Sequence, residues 1–262
     1  VEPPTPAPAA ATRAARLAAA RFLARRPEGG WLAPDELAEL LGAYGIALPP
    51  SEAVWLVGGS ADDAAVAAAA ARVGRAGGAA VAVKALGSTI LHKSDVGGVL
   101  LGVAPADAAA AARGLRARLG AALEGVLVQA MAPPGVETIV GAVHDEQFGP
   151  LVMFGLGGVA AELFADRSFR LAPLSRPDAA ELVRAPKSAA LLFGWRNAPA
   201  VDAAALEALL EAVGWLAADV PELAELDLNP VLARPDGITV VDARARLASH
   251  APLPALPVRR IE

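Results

Sequence analysis

Apolar positions along this chain recur with a period that switches repeatedly between helical and strand spacing. Thr12 to Arg26 is an Ala/Arg run that predicts a helix. Pro34 to Tyr44 predicts a second, with Pro in its first turn, Asp35 and Glu36 near its positive end and Gly45 as its stop. A strand is predicted near 53–57, followed by Ser60 as the N-cap of an Ala-rich helix over 61–75 that ends at Gly77-Gly78. Strands over 80–86 and 99–103 and a helix at about 106–119 complete a β-α-β-β-α arrangement. Gly125 to Met131 is an uncharged β-like run ended by Ala132-Pro133-Pro134-Gly135, which no helix tolerates. Strands over 137–143 and 150–154 follow, and after Gly155-Leu156-Gly157-Gly158 a short helix runs towards Ala165. Helices near 178–185 and 202–219 precede strands 226–233 and 238–243, joined by Arg234-Pro235-Asp236-Gly237. The expected organisation is a linker and N-terminal helix in 1–29, a first lobe over 30–124, a second over 125–247 and an irregular tail over 248–262.

Composition narrows this picture. The 55% hydrophobic fraction is inflated by alanine and only 4% of residues are aromatic, so the cores must be built from Leu, Val and Ala. Mean hydropathy is +0.45, yet charges or Pro/Gly clusters break every candidate span before about 18 apolar residues accumulate, so no membrane segment is expected. A net charge of −5 with scattered arginines offers no footprint for nucleic acid. The absence of cysteine excludes disulfides and thiolate metal sites and is compatible with a cytoplasmic protein. The Pro/Ala-rich opening without a methionine reads as a linker cut from something longer.

Candidate chemistry begins with the lysines, only three against a background of arginine: Lys84, Lys93 and Lys187. Alternation sends Val81 and Val83 to one face of their strand and Ala82, Lys84 and Leu86 to the other. A Lys there either snorkels at a strand edge or serves as a compact point charge for phosphate. Gly97 and Gly98 favour the second role, because they allow consecutive N–H groups to face an anion beside the ammonium groups of Lys84 and Lys93. His92 is either an exposed loop residue or a phosphoryl acceptor. If Arg234 to Gly237 form a four-residue loop, Asn229 faces Asp242 with Asp227 two residues up the same face, and their oxygens suit Mg²⁺. A three-residue loop with a bulge at Gly237 would put Asn229 and Asp242 on opposite faces. Gly155-Leu156-Gly157-Gly158 fits neither common nucleotide-binding glycine motif.

These residues resemble the ATP-grasp domain of the ADP-forming (NDP-forming) acyl-CoA synthetases, relatives of the succinyl-CoA synthetase β subunit. The resemblance covers about 30–247 and rests on five motifs in the family's order: Lys84 with His92-Lys93-Ser94-Asp95-Val96-Gly97-Gly98-Val99, Val140-Gly141, Phe148 through Gly158, Phe169-Arg170-Leu171-Ala172-Pro173-Leu174, and Asp227-Leu228-Asn229-Pro230 with Asp242-Ala243-Arg244. It implies an α+β ATP-grasp fold with ATP or ADP between two lobes. Lys84, Gly97 and Gly98 would meet the phosphates, and the strand around Gln129 to Met131 would meet adenine through its backbone. Glu137 joins this nucleotide set, and Asp227, Asn229 and Asp242 would hold Mg²⁺. Arg170 would stabilise the transferring phosphoryl group, and His92 is the position at which some members carry a second phosphorylated histidine. The chain departs from the pattern at Trp195-Arg196-Asn197, where relatives often have Tyr-Arg-Gly.

The same resemblance implies a CoA-binding/ligase domain as partner, in the same or another chain, with phosphate passing between ATP and a phosphohistidine. The linker and the Arg-rich tail ending Arg259-Arg260 are similar to proteins that fuse such domains to a GNAT-type lysine acetyltransferase. The alternative function is therefore a regulatory module that senses nucleotide or acyl-CoA without turnover.

Overall fold

The computed structural model describes residues 3–56, 62–90, 93–158 and 166–249. The expected cap Ser60, the histidines His92 and His250, the short helix towards Ala165 and most of the tail lie outside them. Among the described residues no helix is long and apolar enough to cross a membrane.

The smaller lobe is built on β2 (Ser51–Trp55), β3 (Val81–Leu86), β4 (Val99–Val103) and β5 (Gly125–Ala130), which pair antiparallel in the order β2-β5-β3-β4. Helices α3 (Asp63–Gly77) and α4 (Ala108–Leu119) cover one face. Asp62 caps α3 by accepting from the N–H groups of Ala64 and Ala65, at 2.9 and 3.3 Å. Val81, Val83, Ala85, Val126, Val128 and Ala130 pack on the helices, and alternation turns Lys84, Leu86, Leu127 and Gln129 the other way.

The larger lobe has a sheet in the order β1-β11-β9-β6-β7-β8, made by β1 (Gly30–Trp31), β6 (Val136–Asp145), β7 (Gly149–Leu156), β8 (Arg167–Leu171), β9 (Leu223–Arg234) and β11 (Ala243–Leu247), with β10 (Gly237–Val240) also paired to β9. Helices α1 (Ala9–Arg25), α2 (Pro34–Gly42), α5 (Arg176–Arg184) and α6 (Ala203–Asp219) bury their apolar faces in its core, which includes Phe22, Leu40, Leu41, Phe154, Leu182 and Leu210. The Tyr44 hydroxyl and the Thr12 hydroxyl both donate to Asp219, at 2.5 and 2.8 Å, and so tie the first two helices to the end of α6. The turn at Arg196 and Asn197 takes positive φ angles of 50° and 67°, a conformation that glycine adopts without strain.

The lobe boundaries differ from the expected 30–124 and 125–247. β5 sits between β2 and β3, so the smaller lobe runs over 51–130 and the chain crosses at the Pro133-Pro134 turn. β5 is buried along its whole length and is hydrogen-bonded on both edges, to β2 and to β3. Residues 9–48 belong to the larger lobe, because β1 pairs with β11 and α1 and α2 pack into the larger core. Strands β1 and β8, and β11 beyond its first residue, fall outside the strand runs expected from the sequence.

Candidate functional site

Between the lobes lies a cleft of about 1840 Å³, well above the roughly 300–1,000 Å³ of ordinary small-molecule sites. The smaller lobe contributes Lys84, Leu86, Leu127 and Gln129 to its wall, and the larger lobe contributes Glu137, Met153, Asp227, Asn229 and Asp242.

Lys84 is only 3% exposed, and its ammonium crosses to the other lobe. Nζ donates to the Val241 carbonyl at 3.0 Å and lies 3.9 Å from Asp242 Oδ1. Burial pulls the pKa of Lys84 below its ordinary value, while Asp242 pushes it up and Lys93 lowers it further. The second ammonium, that of Lys93, stands 3.3 and 3.4 Å from the two oxygens of Asp242. Two cations from one lobe thus converge on one carboxylate of the other. Sequence reading gave Lys93 only a supporting part, although its place next to His92 and ahead of the two glycines was visible.

Asp242 is presented by the last hairpin. β10 pairs with β9 so that Gly237 faces Arg234 and Val240 faces Val231, the register of the longer of the two turns considered from sequence. Beyond β10 the backbone stays paired, with Asn229 N–H donating to the Asp242 carbonyl at 3.0 Å and Val241 N–H to that of Pro230 at 2.9 Å. Asp227 faces Arg244, whose Nε lies 3.4 Å away and whose guanidinium sits 5.1 Å from the Trp31 ring centre. Burial raises the pKa of Asp227, opposed by Arg244. Among the described residues no group of three or more His, Asp or Glu could hold a metal ion, so any cation here would rest on Asp242 with the amide oxygen of Asn229 and, at most, Asp227.

Gln129 is 2% exposed, and its side-chain Oε1 is buried without a hydrogen-bond partner among the described residues. The backbone contact to adenine expected here is corrected at Gln129, whose backbone is committed to β2 and β3, so what it offers the cleft is the side chain. Met131, just past β5, is half-buried and does not line the cleft. Glu137 is exposed beside Gly157 and Gly158, and its carbonyl accepts from Gly157 N–H at 2.8 Å.

Two further expectations are corrected. The N–H groups of Gly97 and Gly98 do not face the cleft, since they donate to the Ser94 and Lys93 carbonyls at 3.1 and 2.6 Å. Gly97 adopts φ +63° and its carbonyl is held by Arg118 at 2.7 Å, and a Cβ on Gly98 would come within 2.9 Å of the Lys93 oxygen. The glycines close the turn that carries Lys93. Arg170 lies on the face of β8 turned towards α5, 3.7 Å from Glu181, whereas Arg167 and Phe169 line the cleft. Parity on a strand decides this, and it becomes readable once 167–171 is identified as one.

Residues 23–247 match the family described as an ATP-grasp domain. The chain is 41% identical over 170 residues to acetate–CoA ligase (ADP-forming) I subunit beta of Pyrococcus furiosus, a match covering 63% of this chain and 73% of that one. It is 43% identical over 175 residues to acetate–CoA ligase (ADP-forming) I of Archaeoglobus fulgidus, covering 65% of this chain but only 26% of that longer protein. Among solved structures it resembles the Ca. Korarchaeum cryptofilum dinucleotide forming acetyl-coenzyme A synthetase 1 in complex with coenzyme A, Ca-AMPCP and HgCl+. There the TM-score is 0.77 and the identity 38%, over 87% of this chain and 98% of that one.

Proposed function

The chain belongs to the ATP-grasp domain family, and from that premise we propose that it is the nucleotide-binding module of an ADP-forming acyl-CoA synthetase. The ligase names of its relatives favour turnover over a purely regulatory role. The observation that carries the reading is the buried Lys84 ammonium, held across the cleft against Asp242. A desolvated cation is costly unless it has an anion to meet, and a nucleotide phosphate is such an anion.

The residues fit the ligands this family implies. Lys84 and Lys93 hold phosphate oxygens from the smaller lobe. The orphaned Gln129 Oε1 accepts from a nucleobase amino group or a ribose hydroxyl, which removes a burial cost of about 1–3 kcal/mol. Asp242 and Asn229 would hold Mg²⁺, with Asp227 beside them, and the cation would supply positive charge that offsets the charge of the phosphates. Leu86 and Leu127 line the cleft beside Lys84 with apolar surface, which keeps water from the phosphates.

In the reaction, the bond from the γ-phosphorus to the bridging oxygen breaks, ADP leaves and a phosphorus–nitrogen bond forms on a histidine. That histidine belongs to a CoA-binding/ligase domain, and His92, next to Lys93 in the sequence, is the candidate second acceptor within this chain. The test is incubation with γ-labelled ATP, with and without such a domain. Acid-labile label and released ADP are expected, and neither appearing with the domain present would overturn the reading. Loss of label on this chain in His92→Ala assigns the local acceptor.

A further inference from the structure

Asp242 offers one pair of carboxylate oxygens, and the Lys93 ammonium straddles them at nearly equal distances of 3.3 and 3.4 Å. A divalent cation on the same oxygens would sit at roughly 2.0–2.6 Å, inside the shell the ammonium occupies. The two cannot share them without strong like-charge repulsion. Lys84 is not the mobile competitor, because it is fixed on β3, donates to Val241 and stays 3.9 Å from the carboxylate. Lys93 stands on a turn, its side chain is 22% exposed, and its four-carbon stem lets the ammonium swing. Among the described residues the remaining hydrogen bond to the Asp242 side chain comes from the N–H of Ala243, at 3.2 Å.

We propose that Lys93 is a placeholder for the divalent cation on Asp242, drawn off by the nucleotide's phosphate so that the cation enters with the nucleotide and not before it. The proposal rests on the nucleotide reading above and adds an order to it. Neutralising Lys93 should move two affinities in opposite directions: divalent cation alone binds more tightly, and nucleotide without cation binds more weakly. A residue that only shaped the turn would move both the same way or neither.

The experiment uses Mn²⁺, whose free form is counted by its electron paramagnetic resonance signal, and ADP in metal-free buffer, followed by calorimetry. Lys93→Gln should bind Mn²⁺ about fivefold more tightly than wild type without nucleotide, equivalent to about 1 kcal/mol, and bind metal-free ADP about fivefold more weakly. Lys93→Arg, which keeps the charge, should stay within about twofold of wild type for Mn²⁺. In the Asp242→Asn background Lys93→Gln should no longer alter Mn²⁺ affinity. Unchanged Mn²⁺ affinity in a Lys93→Gln protein that melts like wild type overturns the proposal, as does a gain that survives Asp242→Asn or an ADP affinity that does not fall. If Lys93→Gln melts early, Lys93→Met replaces it in the same measurements. Failure of the wild type to bind ADP with or without Mn²⁺ would sink the nucleotide reading instead, and the Mn²⁺ measurement on protein alone is independent of that outcome.

Discussion

Lys84 and Arg170 are both cations set in apolar sequence, yet the strands that carry them dispose of them in opposite ways. β3 has β5 on one side and β4 on the other, and every residue of it is buried. Its charge therefore had to be aimed at something, and it crosses the cleft to Val241 and Asp242. Among the described residues β8 is the edge of its sheet, with β7 as its one neighbour, and leaves Phe169 and Leu171 half exposed at 50% and 56%. There a cation can turn to the solvent side of a helix, and Arg170 does so beside Glu181. Arg167 and Arg170 are three positions apart and must point to opposite faces, so only one of them can line the cleft. Residue type and an apolar setting do not reveal a functional charge. Its strand's place in the sheet and its parity do.

The contrast is sharpest in ligand affinity. Lys84→Ala should weaken ATP binding by about 1.5 to 3 kcal/mol, roughly ten- to a hundredfold, the scale of a charged hydrogen bond. Calorimetry checks this, and wild-type affinity in the variant would make the buried lysine a structural feature like any other.

Stability should move the other way. Lys84 is held charged in a desolvated position, so Lys84→Met, which keeps most of the volume and leaves Asp242 paired with Lys93, should stabilise the ligand-free protein by about 1 to 2 kcal/mol at neutral pH. The sign follows from the pKa. The folded-state pKa of Lys84 is lowered by burial, so between that value and the higher unfolded one the unfolded chain binds more protons, and stability attributable to this group rises with pH. The advantage of Lys84→Met should accordingly shrink as the pH is raised through the alkaline range. Denaturant titrations at neutral and alkaline pH measure both, and a destabilised Lys84→Met would show that the ion pair more than offsets its desolvation.

The same distinction explains what could be read from the sequence. β3 was legible with its buried and cleft-facing sides, because the alternation through Val81, Val83 and Lys84 is clean and both faces are apolar. The start of α2 was marked by Pro34 with Asp35 and Glu36, and Glu36 does accept from the Ala33 N–H at 2.9 Å. The turn residues limited the last hairpin to two registers, and the pairing of Gly237 with Arg234 selects one. Other features depend on partners distant in sequence. β5 could be seen as a strand but not assigned to a lobe, since that depends on which strands flank it. Gly97 and Gly98 announce a tight turn, but not that their N–H groups donate to Ser94 and Lys93. β8 is short, with a charge at every third position, and has no local signal strong enough to fix its parity.

The smallest predicted effect tests that parity most directly. Arg167→Ala removes a cation from the cleft wall but an exposed one, so ATP affinity should fall only about threefold, less than 1 kcal/mol. Arg170→Ala should leave ATP affinity within about twofold and stability within about 0.5 kcal/mol, because its partner Glu181 is 71% exposed and solvent screens the pair. Arg170 would regain a place in phosphoryl transfer only if Arg170→Ala lowered the rate of histidine labelling while Arg167→Ala did not. That outcome would require β8 to turn over by one residue, which would drive Phe169 and Leu171 onto α5 and pull Ser168 and Arg170 off it. The loss of the Leu151–Leu171 and Met153–Phe169 cross-strand pairs makes such a slip costly, and this is the physical reason to expect Arg170→Ala to be silent.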